Sequence, residues 1–255
     1  MSANNYRSGQ FVWREILTSD TDATVRFYGE VIGWKSESMP MPDGNQYIMF
    51  KAGDTTVGGC MKLPAPGIPS HWALYVSTTD VERSVAACTA AGGKVLMGPT
   101  PIPGMGAFAT MQDPQGAVIS VWRGEKGDAE RAADARPGRG EFCWEQLNTT
   151  DTKAAAEFYG KLFGWTHAPF SGGGSDVFSA ADVQVASYMN VPQPGVPAHW
   201  ITYVVVDALA AANDRVTKQG GKVLMPKIDV PNVGSISVVQ DNVGALLGLF
   251  EVPNA

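Results

Sequence analysis

The chain repeats itself, and that constrains its fold more than any local feature. Residues 11–34, FVWREILTSDTDATVRFYGEVIGW, return as residues 142–165, FCWEQLNTTDTKAAAEFYGKLFGW. The pairs Trp13/Trp144, Asp20/Asp151, Tyr28/Tyr159 and Trp34/Trp165 all lie 131 positions apart. Further on, PAPGIPSHW (64–72) matches PQPGVPAHW (192–200), and GGKVLM stands at both 92–97 and 220–225. These, with Asp113/Asp241 and Gly116/Gly244, lie 128 apart, so a three-residue deletion falls between Trp34 and His71. Ordered landmarks at one long period mark a tandem duplication.

Each half divides again. FVWREIL (11–17) alternates as a strand, with Phe11, Trp13, Glu15 and Leu17 on one face. Ser19 or Asp20 offers an N-cap, Thr24, Phe27, Tyr28 and Val31 follow at helical spacing, and Gly33 supplies a stop. QYIMFKA (46–52) and TVGGCMKL (56–63) are strand candidates, and the Pro-rich connector leads into the strand HWALYVS (71–77). Asp80 opens a second helix carrying Val81, Val85 and Cys88, stopped by Gly92-Gly93. KVLMGPT, GAFATMQ and AVISVW read as three more strands, the last two joined by Asp113-Pro114-Gln115-Gly116, which suits a type I turn. Each repeat therefore reads β-α-β-β-β twice. The expected organisation is a first domain at 1–123 (modules 11–63 and 71–123), a linker at 124–140, and a second domain at 141–255 (modules 142–191 and 199–252).

Composition bounds the function. With 44% hydrophobic and 17% charged residues, the 255-residue chain can bury a core unaided. A net charge of −6 argues against nucleic acid, whose phosphates need clustered cations. No apolar run is long enough to cross a bilayer, and MSANNYRSGQ lacks a signal peptide's layout, so neither a membrane nor export is expected and the location expected is cytoplasmic. Cys60, Cys88 and Cys143 are too scattered for a disulfide framework or zinc site and read as small buried apolar residues. SGGGS (171–175) lacks the lysine and helix of a phosphate loop and reads as a flexible loop.

Four β-α-β-β-β modules carrying D-x6-FY-x4-GW and D-P-x-G landmarks resemble the vicinal oxygen chelate superfamily, which includes glyoxalase I, extradiol dioxygenases and bleomycin-resistance proteins. The likeness spans roughly residues 11–123 and 141–252. It implies an α+β fold of two tandem glyoxalase/bleomycin-resistance-type domains, each a pair of βαβββ modules curled into a cupped mixed sheet. Metal-using relatives hold a divalent ion in the cup by His, Gln or Glu on the first strand of each module and Glu near the last. Carried over, the first-strand position falls on Trp13 and Trp144, and in the second modules near Ala73 and Ile201, two residues after His71 and His199. The last-strand position falls on Ser120 and Gly248. No position carries the expected ligand, so no cofactor is expected, with a divalent metal as the alternative.

The residues themselves leave two functions open. In the first, the cup holds a small aromatic or hydrophobic metabolite or antibiotic without metal, against Trp13, Tyr75, Ser120, Trp122, Trp144, Gln146, His199 and Tyr203. In the second, the chain is a glyoxalase- or isomerase-like enzyme with Glu15 or His71 as general base. A carboxylate on an apolar strand is costly to bury, which singles out Glu15; its counterpart is Gln146. His71 and His199 equally suit a structural bond at the end of the connector, and Arg14 and Glu145 are expected on a solvated or interface face. The expected partner is a small molecule, and the expected assembly a monomer or homodimer.

Overall fold

A computed structural model describes residues 5–41, 44–129, 136–171 and 173–253. The first module runs β1 (Phe11–Thr18), α1 (Thr21–Val31), β2 (Lys35–Pro40), β3 (Gln46–Ala52), β4 (Thr55–Lys62). The second runs β5 (His71–Ser77), α2 (Val81–Ala90), β6 (Lys94–Ile102), β7 (Gly106–Gln112), β8 (Val118–Gly124). The third runs β9 (Phe142–Thr149), α3 (Thr152–Phe163), β10 (Thr166–Pro169), β11 (Asp176–Ala180), β12 (Val183–Asn190). The fourth runs β13 (His199–Val206), α4 (Leu209–Lys218), β14 (Lys222–Val230), β15 (Gly234–Gln240), β16 (Leu246–Glu251).

The four βαβββ modules are thus present in full. Asp20, rather than Ser19, caps α1 by accepting from the Ala23 N–H at 2.9 Å, and Asp80 and Asp151 do the same for α2 and α3. Gly164 closes α3 at φ +70, a left-handed turn that favours glycine. Two strands escape the sequence pattern: β2 (KSESMP) and β10 (THAP) are exposed along their whole length, so no alternation marks them. The modules form two eight-stranded mixed sheets, ordered β2-β3-β4-β1-β5-β8-β7-β6 and β10-β11-β12-β9-β13-β16-β15-β14. Within each module the first strand pairs in parallel with the last, and the other pairs are antiparallel.

The compact units cut across the repeats. An outer-module unit holds Arg14–Ala73, Arg136–Trp144 and Ile201–Ala255, and an inner-module unit holds Met1–Trp13, Leu74–Ala135 and Glu145–Trp200, each counted over its described residues. In the first, α1 packs on α4; in the second, α2 packs on α3.

One hydrogen-bonded relay recurs in each unit. In the outer-module unit the fully buried Tyr28 of α1 donates its hydroxyl proton to Asp241 Oδ2 at 2.9 Å and accepts from Trp72 Nε1 at 3.0 Å. Asp241 Oδ1 accepts from the Val243 and Ala245 N–H groups at 3.1 and 2.7 Å. In the inner-module unit Tyr159 donates to Asp113 Oδ2 at 3.0 Å and accepts from Trp200 Nε1 at 3.1 Å. Asp113 Oδ1 takes the Gln115 and Ala117 N–H groups at 2.9 Å. A buried carboxylate is tolerable only when its lone pairs are filled, and here three donors fill each one. Burial pushes both aspartates above the usual carboxylate range, the hydrogen bonds opposing it, and pushes both tyrosines well above theirs.

Aromatic rings complete the two cores. Trp34 Nε1 donates to Gly140 O at 2.6 Å among Tyr28, Phe50, Trp72 and Phe142. Trp165 Nε1 donates to Gly9 O at 2.8 Å among Phe11, Tyr159, Phe178 and Trp200. Between the repeats, Asp128 Oδ2 accepts from Arg7 N at 2.6 Å and Ser77 Oγ at 2.5 Å, while residues 130–135 of the expected linker lie outside the described residues. Among the described residues no helix is long and apolar enough to cross a membrane.

Tyr28→Phe leaves Trp72 Nε1 and Asp241 Oδ2 unpaired in a dry core, and should lower unfolding free energy in urea by about 1–3 kcal/mol, as should Tyr159→Phe; no change would contradict the relay's role. Raised aspartate pKa values in the folded state mean that the stability these groups contribute is full below the unfolded value of about 4 and is lost as pH rises through the folded value. Asp113→Asn/Asp241→Asn should therefore flatten the stability–pH curve in that window, which denaturant titrations at several pH values will read.

Candidate functional site

The positions that the resemblance assigns to metal ligands hold no ligand set. Trp13 and Trp144 are half-buried indoles on β1 and β9, and an indole N–H can only donate. Ala73 on β5 and Ile201 on β13 are aliphatic. Ser120 is buried on β8 and its hydroxyl pairs with Thr110 Oγ1 at 2.9 Å. Gly248 on β16 lies opposite Tyr203, whose ring occupies the place a β-carbon would take. Among the described residues no three His, Cys, Asp or Glu side chains converge to hold a metal. Hydrogen, methyl, a paired hydroxyl and indole do not fit a divalent cation, which needs several converging N or O donors.

In the inner-module unit, strand register gathers a half-open aromatic face. Tyr75 lies opposite Ser120 between β5 and β8, and Phe108 and Thr110 of β7 lie opposite Trp122 and Ser120. Tyr75, Phe108 and Trp122 are each half-buried, and the Tyr75 and Phe108 rings meet edge to face with centroids 6.1 Å apart. Gly106 gives Trp122 room, since a β-carbon there would press on its six-membered ring. The face thus offers three rings around the Ser120–Thr110 hydroxyl pair. Rings with a few fixed polar groups suit a flat organic ligand.

In the same unit three polar side chains join in a row. Gln146 Nε2 donates to Asn148 Oδ1 at 2.9 Å, Asn148 Nδ2 lies 3.3 Å from His199 Nε2, and His199 Nδ1 lies 2.8 Å from Pro197 O. A carbonyl only accepts, so Nδ1 carries the proton and Nε2 accepts from Asn148. His199 is therefore tied on both nitrogens. His71 makes the matching bond from Nδ1 to Pro69 O at 2.8 Å, the structural bond at the connector's end, and Leu17 stands where Asn148 stands in the other repeat.

The outer-module unit holds two contrasting surfaces. Ile201, Tyr203 and Val238 form a buried apolar cluster, with Cys143, Trp144, Met225 and Ile236 packed on it. Tyr203 is 3% exposed, and burial drives its phenol far up. On β1, Glu15 is 6% exposed and lies opposite Gly59 of β4. Tyr47 Oη of β3 and Glu15 Oε1 both crowd the place where Gly59 lacks a side chain. Cys60 is pushed up to about 12, first by burial and then by the Glu15 and Asp241 charges.

Tyr203 is thus buried with its ring over Gly248, and Trp144 is half-buried against the same cluster. Of the residues expected on a solvated or interface face, Glu145 is not solvated, being 3% exposed, and Arg14 is half-buried with its guanidinium 5.6 Å from the Phe142 ring centre. Cys60 and Cys88 are buried as expected, whereas Cys143 is only half-buried. Gly172 of SGGGS lies outside the described residues. Sequence reading missed Phe108, Thr110, Asn148 and Tyr47. Tyr47 carried one usable signal, a phenol in the first repeat where Ser175 stands in the second.

The model of the Glyoxalase/Bleomycin resistance protein/Dioxygenase superfamily matches residues 10–121 and 143–249. CFP32 of Mycobacterium tuberculosis is 30% identical over 255 residues, covering 97% of each chain. The anthracycline biosynthesis protein DnrV of Streptomyces peucetius is 27% identical over 243 residues, 89% of this chain and 87% of its own. Among solved structures, a Mn(II)-bound glyoxalase from Novosphingobium aromaticivorans superposes with TM-score 0.66 at 15% identity, covering 96% of this chain and 82% of that one. The 2,3-dioxygenase LapB from Pseudomonas sp. KL28 gives 0.63 at 12% identity, covering 99% and 94%. At such identities these two likenesses concern the fold.

Gly248→Ala should force the Tyr203 ring off β16 and lower stability by about 1–3 kcal/mol in thermal or urea melts. An unchanged melt would mean that the ring is not seated there.

Proposed function

The chain belongs to the Glyoxalase/Bleomycin resistance protein/Dioxygenase superfamily, and from that premise we propose that it is a metal-independent small-molecule binding protein that holds a flat aromatic metabolite against Tyr75, Phe108 and Trp122. The observation that carries this reading is Ser120. It stands where the resemblance places a carboxylate ligand, and its hydroxyl is spent on Thr110 beneath three half-buried rings. Stacking and edge contacts to such rings contribute about 0.5–1.5 kcal/mol each beyond area burial, which suits recognition of a planar molecule. The hydroxyl pair can meet a polar edge of that ligand and fix its orientation. A relative named for anthracycline biosynthesis supports the class, because anthracyclines are planar, fused-ring molecules. In this reading the apolar cluster around Tyr203 is scaffold, and no divalent ion takes part.

Titrating anthraquinone-2-sulfonate into the protein in the presence of EDTA should quench tryptophan fluorescence saturably. Trp122→Ala should weaken binding about tenfold or more, the scale of one ring contact plus the area it buries. Binding that needs an added divalent ion, or that is indifferent to Trp122→Ala, would overturn the reading.

A further inference from the structure

We propose that Glu15 and Tyr47 form a metal-free proton-transfer site in the outer-module unit, acting on a ketone whose α C–H bond is already activated by a neighbouring aryl or second carbonyl group. The site shares no residue with the Tyr75, Phe108 and Trp122 face, so it does not rest on the binding reading.

Three strands build it. Glu15 sits on β1 with its carboxylate removed from bulk water, and Tyr47 sits half-buried on β3. Between them in the sheet, β4 supplies Gly58-Gly59, and the missing side chain of Gly59 leaves a place that the Tyr47 hydroxyl enters and that Glu15 Oε1 borders. Any larger residue at 59 would push that hydroxyl away. An acceptor-only carboxylate and a phenolic donor against one bare backbone position are a base and an oxyanion partner. A carboxylate base with a tyrosine hydroxyl facing the oxygen is a known general solution to enolisation without metal.

The neighbouring groups fit that role. Cys60 is held as a neutral thiol, pushed up to about 12, so it does not compete as base or nucleophile. The second repeat lacks both partners, with Gln146, Ser175 and Ser187 standing where the first has Glu15, Tyr47 and Gly59. The duplicated fold thus needs neither group for packing.

The step balances without a redox partner. Glu15 takes the α proton, the C–H electron pair moves into the new C=C bond, and the C=O pair moves to oxygen, where Tyr47 donates a hydrogen bond. The proton then returns from Glu15 on the same face, to the same carbon or to a conjugated carbon, giving hydrogen exchange or double-bond isomerisation. One phenol hydrogen bond stabilises an enolate less than a Lewis acid does, which is why the substrate must bring its own activation.

The test is deuterium exchange at C1 of 2-tetralone, followed by NMR in buffered D2O with EDTA. Wild-type protein should accelerate exchange over buffer. Glu15→Gln should reduce the acceleration about 100-fold or more, and Tyr47→Phe about tenfold to 100-fold. Gly59→Ala, which leaves both groups in place chemically but displaces the hydroxyl, should fall with Tyr47→Phe. Thermal melts check that each variant is folded, and Glu15→Asp replaces any Glu15→Gln protein that is not. No acceleration by the wild type, exchange indifferent to both Glu15→Gln and Tyr47→Phe, or exchange only with an added divalent ion would overturn the proposal.

Discussion

A tyrosine hydroxyl bonded to a buried aspartate holds each compact unit together. Tyr28 comes from the first module and Asp241 from the fourth; Tyr159 comes from the third and Asp113 from the second. Each hydroxyl also accepts from the indole that follows a Pro-rich connector, Trp72 or Trp200. A dry carboxylate has to find its donors in one geometry, so the pairing specifies which modules share a core as well as stabilising it. The apolar rings of Phe27 and Phe158 add shape to this choice, each closing on a bare glycine, Gly221 and Gly93 respectively.

The duplication was legible because these residues recur at fixed spacing, and the strands and helices followed from alternation and capping. What the motifs do to one another was not. Phe-Tyr, Asp-x-x-Gly and His-Trp look like three separate local devices, a helix face, a turn and a strand start, yet they meet as one relay. In His71-Trp72 and His199-Trp200 the histidine draws attention, whereas the tryptophan carries the buried bond. The exposed strands Lys35–Pro40 and Thr166–Pro169 left no periodic trace, since only backbone pairing defines them.

The candidate site divides in the same way. Trp13, Ser120 and Gly248 could be placed by counting from helix caps and turn glycines, and their chemistry spoke against an ion before any geometry was known. The seat of the Tyr203 ring could not be read, because the ring reaches the vacancy at Gly248 across a strand pair. Tyr47 was equally hidden, since its relation to Glu15 passes through the register of three strands rather than through spacing along the chain.

If the two tyrosine–aspartate relays carry the fold, it stands without an ion at the inherited ligand positions. Elemental analysis of protein purified without chelator, then dialysed against a mixture of Mn, Fe, Ni and Zn ions, tests it most directly. Well under one metal per chain and an unchanged melting temperature are expected. One or two tightly held ions per chain, with a raised melting temperature, would contradict it.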